Sequence, residues 1–299
     1  MPSPFAPCLV ISSMSVRIVT DSTADLPEEV VKSLGITVVP LLVHIADETF
    51  EDGVTISIDG FYNLLTTGDV FPKTSAPSSG MFIEAYRRLA QETDEIVSIH
   101  MSTKLSATHA AALVARDGID APIRIEVIDS LSASMGLGLL VIHAATMARD
   151  GACLDEIVRK TEASIPRTQF FGMLDTLEYL HRGGRIGQAA SFLGSMLRLK
   201  PILCLRDGVA YPVERVRGRE QAIDRLCEMV GSQGAITHLA VGYTTGERAM
   251  ELLAQRLTPF FPSDRMVRTR AGATMGTYLG PGALGVALIT AEQPESQEG

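Results

Sequence analysis

The chain is 299 residues long, with 46% hydrophobic and 20% charged residues, enough apolar material for one large core or two ordinary ones. Asp and Glu total 35 against 26 Lys and Arg, a formal charge of −9, and a surface of that sign repels phosphate backbones and anionic lipid. With aromatics at 5% and no Trp, stacking platforms for single strands are missing too, so no nucleic-acid partner is expected.

Taken in chain order, residues 1–13 (MPSPFAPCLVISS) lack the basic start of a secretory signal and read as a disordered extension ahead of Met14. Ser15–Thr20 is a β-branched run closed by Asp21-Ser22-Thr23, and a helix follows from Pro27 to Leu34, with Asp25 as its expected N-cap. Ile36–Ile45 reads as one strand, Asp59–Thr66 and Ser79–Gln91 as helices, and Glu95–His100 as strand. Ser106–Arg116 reads as helix, Ile123–Ile128 as strand and Met135–Arg149 as helix. Strand, polar turn and helix in repetition predict βαβ units on a parallel sheet, whose ligands gather at the carboxyl ends of the strands. Three such ends carry Ser/Thr-rich turns, at 20–23, 100–108 and 128–134.

A helix over Leu154–Ser164 precedes a boundary placed near Pro166, after which the pattern changes. A strand at Phe170–Leu174, a Gly-rich turn and a helix over 187–197 lead to strands Pro201–Leu205 and Val209–Arg215 around the hairpin signal Asp207-Gly208. Helices at 220–231 and 247–257 and strands at 237–243 and 284–290 follow, and 292–299 reads as a disordered tail. The expectation is an α/β protein of two domains, a parallel-sheet domain over 14–166 and an α+β domain over 167–291.

Most catalytic motifs are missing: no GxxxxGK[ST], no GxSxG, no HExxH and no glycine fingerprint directly after a strand. His143, on an apolar helix, reads as a core histidine. Cys8, Cys153, Cys204 and Cys227 show no CxxC spacing, which gives no zinc or redox site and fits a reducing cytoplasm. The apolar stretch Gly136–Ala148 is too short to span a bilayer, so no integral membrane segment is expected. No cofactor and no metal are expected. What stands out is hydroxyl density at Thr74-Ser75, Ser78-Ser79, Ser102-Thr103, Ser106 and Thr108. Such groups either cap helices or, with helix N-termini, form an anion site.

Several segments together make the chain similar to a known family. Asp21-Ser-Thr-Ala-Asp-Leu-Pro27 resembles the first loop of the DegV family of bacterial fatty-acid-binding proteins. Lys73-Thr-Ser-Ala-Pro-Ser78 resembles that family's TSQPS segment with Ala76 in place of Gln, and Leu105-Ser-Ala-Thr108 its LSGT with Ala107 in place of Gly. Asp129-Ser130 through Gly138-Leu139, Leu177-Glu-Tyr-Leu-His-Arg-Gly-Gly-Arg-Ile186, Lys200-Pro-Ile-Leu203 and Gly280-Pro-Gly-Ala-Leu-Gly285 extend the resemblance from about Val16 to Leu288.

The resemblance implies an N-terminal Rossmann-like domain and a lipid tunnel between the domains. It implies a non-enzymatic carrier that holds one long-chain fatty acid and presents it to a fatty-acid kinase subunit with a dihydroxyacetone-kinase-like domain. Thr74, Ser75, Ser106, Thr108 and Tyr278 are the implied carboxylate-binding residues. Tyr278 stands where the family has histidine; it donates one hydrogen bond but takes no proton near neutral pH. Arg215 and Arg217 are the implied kinase contacts, and in an extended segment they share one face with Arg219. Burying the ~14 methylenes of a 16-carbon acid is worth on the order of 11 kcal/mol gross, so apolar residues such as Phe170, Met173, Leu174, Phe192, Met196 and Leu197 are candidate tunnel lining. The alternative is a serine-dependent acyl-ester hydrolase using Ser106 with His109.

Overall fold

The structure is a computed structural model that describes residues 16–68, 71–193 and 199–292. The expected extension 1–13, residues 293–299 of the expected tail, and Met196 and Leu197 lie outside the described residues.

The first half runs β1 (Arg17–Asp21), α1 (Glu28–Leu34), β2 (Thr37–Val39), β3 (Leu42–Ile45), β4 (Glu48–Glu51), α2 (Ile58–Thr67) and β5 (Lys73–Ser75). It continues with α3 (Ser79–Leu89), β6 (Glu95–His100), α4 (Thr108–Gly118), β7 (Arg124–Asp129), α5 (Met135–Arg149) and α6 (Leu154–Ser164). Strands β2, β1, β6 and β7 form a wholly parallel sheet in that order. Both of its faces are covered, as the apolar runs require: Val19 and Ile96 pack under α3 and α4, whereas Ile18, Val97 and Ile99 pack under α5 and α6. The chain steps outward from β1 to β2 and then crosses back to β6, so the switch point lies between β1 and β6, where a crevice opens at the strands' carboxyl ends.

Two expectations fail here. The single strand over 36–45 is broken at Pro40, which has no N–H for a ladder. Its second half, β3, pairs antiparallel with β4 and β5 in a separate three-stranded sheet. Asp25 is not the N-cap of α1 either; it closes the 3₁₀ turn Ser22–Ala24, its N–H bonded to the Ser22 carbonyl. It sits in the left-handed region at φ 49°, buried, and Pro27 takes the cap position with no side-chain bond.

A 3₁₀ turn at Ile165–Arg167, which contains Pro166, leads into β8 (Thr168–Met173), α7 (Glu178–Arg182), β9 (Lys200–Arg206) and β10 (Val209–Val216). Then come α8 (Gly218–Gly231), β11 (Ile236–Tyr243), α9 (Glu247–Leu257), β12 (Val267–Arg270), α10 (Ala273–Leu279) and β13 (Leu284–Thr290). The sheet order is β10-β9-β8-β13-β11-β12, antiparallel except between β11 and β12. Its Asp207-Gly208 hairpin has φ of 50° and 79°, the paired positive values of a tight hairpin turn. In place of the helix expected over 187–197, residues 187–192 form a 3₁₀ turn, and 194–198 lie outside the described residues. Gly187 opens that turn at φ 51°, where a Cβ would come 2.7 Å from the Ala210 carbonyl.

Helices α8 and α9 cover one face of this second sheet. Its other face rests on α5, through Met135, Leu139 and Leu140 against Ala240, Ala287 and Ile289. Because Leu137, Val141 and Ala144 of α5 pack on the parallel sheet, one helix is shared between the two sheets. That explains why its apolar residues run all round it.

The candidate ligand cavity

Between the two sheets lies a cavity of about 190 Å³ that is partly open to solvent. Its wall is largely apolar, including Leu41, Leu105, Phe170, Leu174, Leu203 and Leu205. Arg185 is its one charged lining residue among the described residues. Two of the three turns singled out at the ends of parallel strands reach it. Ser106 and Ala107 come from the turn after β6, and Ala133 and Ser134 from the turn after β7. The latter turn is strained, with non-glycine residues Leu131 and Ser134 at φ 49° and 51°.

The hydroxyls gather as two pairs. Thr74 Oγ1 and Tyr278 Oη lie 2.5 Å apart, joining β5 to α10 across 204 residues of sequence. Ser106 Oγ and Thr108 Oγ1 lie 2.8 Å apart, and Ser106 Oγ also accepts the Thr108 N–H at 3.3 Å, a tight local turn that leads into α4. Ser75 borders the cavity, but its Oγ is bonded to His44 Nε2 at 2.9 Å, because successive residues of β5 point to opposite faces. Of the other hydroxyls, Ser78 caps α3, Ser102 donates to the Gly208 carbonyl at 2.9 Å, and Thr103 donates to Asp129.

Nothing in the sequence around Arg185 marks it as a site residue, yet it borders the cavity. Its guanidinium lies over the Tyr278 ring at 5.3 Å and donates to the carbonyls of Leu105 (3.1 Å) and Gly183 (2.8 Å). It therefore sits exposed at the mouth, beside both hydroxyl pairs. Gly183 allows this packing, since a Cβ there would meet the Tyr278 ring at 2.5 Å.

Two buried carboxyl groups, Asp25 and Asp52, hold residues of the cavity wall in place. Asp25 accepts the Gly272 N–H at 2.8 Å and the Ser134 hydroxyl at 2.5 Å, and burial pushes its carboxyl up to about 8. Asp52 accepts the N–H groups of Ala273 (2.8 Å) and Thr274 (3.2 Å), capping α10, and the Ser22 hydroxyl at 2.9 Å. The first loop thus contributes no cavity lining of its own hydroxyls; it holds Ser134 and α10 in place.

Of the candidate lining residues, Phe170 and Leu174 border the cavity. Met173 instead points to the opposite face of its sheet, into the core under α8 and α9. Phe192 lies under the Arg215 guanidinium at 4.3 Å. The three arginines do not share one face. Arg215 is in β10, Arg217 is the exposed N-cap of α8, and Arg219, inside α8, bonds Asp175 and the Gly282 carbonyl.

The hydrolase constellation is not assembled at Ser106. Its Oγ is engaged by Thr108, and His109, whose pKa burial lowers, has the Val127 backbone as a hydrogen-bond partner. An Asp-His-Ser series does exist elsewhere: Asp21 to His100 at 3.0 Å, His100 to Ser98 at 2.7 Å, then Ser98 to Tyr86 at 2.8 Å. All four side chains are sealed in the parallel-sheet domain, where no substrate reaches them. His143, expected in the core, is only half-buried and packs edge-on against His238 at 5.1 Å. Among the described residues no helix is long and apolar enough to cross a membrane, and no group of three His, Cys, Asp or Glu is placed to hold a metal ion.

Comparison with known proteins adds a family model, described as uncharacterised protein, DegV family, which matches residues 15–291. A DegV domain-containing protein of Streptomyces coelicolor is 40% identical over 281 residues, covering 92% of this chain and 99% of its own. Among solved structures, a DegV family protein from Thermus thermophilus described as binding fatty acid superposes with a TM-score of 0.85 at 31% identity, over 93% of this chain and all of its own (100%). The Bacillus subtilis protein DegV, described as a fatty acid binding protein, has the same TM-score of 0.85, identity of 31% and coverage of 93% and 100%.

Proposed function

The chain belongs to the DegV family, and on that premise we propose that it is a carrier for one long-chain fatty acid, bound with its tail in the cavity between the sheets and its carboxylate at the mouth. The observation that carries this reading is the polarity of the cavity: an apolar wall that ends in two hydroxyl pairs and one arginine. Removing the tail from water supplies most of the affinity. Hydrogen bonds from neutral hydroxyls to the carboxylate, with Arg185 alongside, fix which end faces out. Related proteins described as fatty-acid-binding support the same ligand.

The finer part of the proposal is presentation of the carboxylate to a fatty-acid kinase subunit with a dihydroxyacetone-kinase-like domain. The exposed position of Arg217, with Arg215 nearby at the end of the β9–β10 hairpin, supports a contact of basic character on an otherwise acidic protein. A carrier needs no nucleophile of its own, in keeping with Ser106 having no base. The test is titration of delipidated protein with palmitate, alongside turnover of a chromogenic acyl ester. Saturable palmitate binding without ester turnover is expected; ester turnover that depends on Ser106 would overturn the carrier. For presentation, Arg217→Glu is expected to retain palmitate binding and abolish acyl-phosphate formation with a cognate kinase. Full acyl-phosphate formation would remove Arg217 from the contact.

A further inference from the structure

Thr274 is the second residue of α10 and borders the cavity. Its side chain is 1% exposed, yet its Oγ1 has no hydrogen-bond partner among the described residues. The cause is local. A threonine inside a helix returns its hydroxyl to the carbonyl four residues back, as Thr277 does to Ala273 at 2.9 Å on the same helix. Four residues before Thr274 the chain is still β12, at Arg270, so no helical carbonyl lies behind it. Its backbone N–H is satisfied by Asp52 at 3.2 Å, which leaves the hydroxyl alone unmatched. Buried polar groups left so are costly, and a native one calls for an explanation.

The site's proton count supplies one. A carboxylate offers about four lone-pair positions. In the Thr74–Tyr278 pair one hydroxyl proton lies between the two oxygens, so one remains to point outward, and the Ser106–Thr108 pair likewise frees one. Four hydroxyls therefore supply two outward donors. Thr274 stands one helical turn before Tyr278 on the same row of α10, about 6 Å along the axis, and helical side chains lean back toward the N-terminus. Its proton is uncommitted.

We propose that Thr274 Oγ1 is a third hydroxyl donor to the carboxylate of the bound lipid, a donor left unmatched until the ligand arrives. The proposal rests on the fatty-acid reading and names a ligand-contacting residue that reading does not require.

The test uses delipidated full-length protein, palmitate and hexadecanol, which keeps the chain and lacks the carboxylate. Thr274→Val preserves shape and removes the hydroxyl; it is expected to weaken palmitate about tenfold, as loss of a bond to a charged group does. Hexadecanol binding is expected to change less than about twofold, and Thr274→Ser to restore palmitate binding. The delipidated Thr274→Val protein is expected to melt at or above the wild-type temperature, since it loses an unsatisfied buried group. Wild-type palmitate affinity in Thr274→Val would overturn the proposal and leave the carrier standing; a water molecule would then be the hydroxyl's partner. Equal losses for palmitate and hexadecanol would overturn it too, by assigning Thr274 to packing. If Thr274→Val fails to fold, Thr274→Ala and the serine variant carry the same comparison. Failure of the wild type to bind palmitate at all would end both the fatty-acid reading and this donor.

Discussion

Burial in the first loop holds the Asp25 carboxyl at about 8, against 3.8 for the free side chain, with the Ser134 and Gly272 hydrogen bonds pulling the other way and the Asp52 and Asp21 charges adding to the rise. A group whose folded value lies above its unfolded one stabilises fully below the unfolded value and loses that contribution as pH rises through the folded one. Asp25 therefore favours the fold most below about pH 4, progressively less up to about pH 8, and disfavours it by a constant amount above that. Asparagine reproduces the neutral form, with an oxygen for Gly272 and an amide for Ser134. Asp25→Asn is expected to remove this pH dependence and to exceed wild type in melting temperature at about pH 9; parallel stability curves would contradict it. For the head group, Thr74→Val and Ser106→Ala are each expected to raise the palmitate Kd about tenfold without lowering the melting temperature. Unchanged affinity in both would remove the hydroxyl pairs from the site. Thr74, Ser106, Thr108 and Tyr278 stand out in the sequence because they lie in motifs that resemble those of the family, and the fold brings them together as two hydroxyl pairs. The role of Asp25 is not legible there: a short acidic residue before Pro27 has the chemistry of a helix N-cap, whereas its left-handed backbone closes the turn Ser22–Ala24 and its carboxyl meets Gly272 and Ser134, far along the chain. Thr274 was silent for the same reason: an unmatched hydroxyl exists only in three dimensions.

Helix α10 carries Tyr278 and Thr274 to the cavity, yet its seven residues include Gly276 and are flanked by Gly272 and Gly280. Such a segment has little intrinsic helix preference. What forms it is the carboxylate of Asp52, 221 residues distant in sequence, on its first N–H groups, and close packing on α2. That packing depends on Gly276, where a Cβ would lie 2.6 Å from Phe61 and 2.7 Å from the Tyr62 hydroxyl, both in buried side chains. Gly276→Ala is accordingly expected to cost about 1–3 kcal/mol of stability through overpacking, and to weaken palmitate binding by displacing Tyr278. Chemical denaturation with a parallel titration checks this; wild-type values in both would place α10 under less constraint than the contacts imply. The β3–β5 sheet was equally hidden, because strands of three or four residues leave no periodic signal. By contrast α5, α6 and α9 agree residue for residue with the sequence reading, α6 and α9 through a clear amphipathic pattern and α5 through an apolar run long enough for a helix.

Across the whole molecule, the two sheets meet on α5, and the cavity lies between the turns at the carboxyl ends of the parallel strands, α10 and the β8–β9 part of the second sheet. The α/β class and the position of the crevice, at the carboxyl ends of parallel strands, followed from repeated strand-turn-helix units. How α10 returns from the second half to the first could not, because that contact leaves no trace in either segment's pattern. The same junction holds His143 of α5 against His238 of β11. Burial lowers both, His238 to about 4, with the other histidine, Arg167 and Arg265 adding to the effect on His238 and Arg167 and Lys160 to that on His143. The unfolded chain takes up these protons from about pH 6.5 downward while the fold resists, so stability falls as pH drops from 6.5 toward 4. His238→Phe is expected to flatten that acid limb in thermal melts, and an unaltered limb would assign acid sensitivity elsewhere. The central claim, that the junction encloses one acyl chain, is tested most directly by native mass spectrometry of the protein as purified from cells. The account predicts a 1:1 complex whose mass increment equals one long-chain fatty acid, released on denaturation and identified by its own mass. A homogeneous ligand-free protein that also fails to take up added palmitate would contradict it.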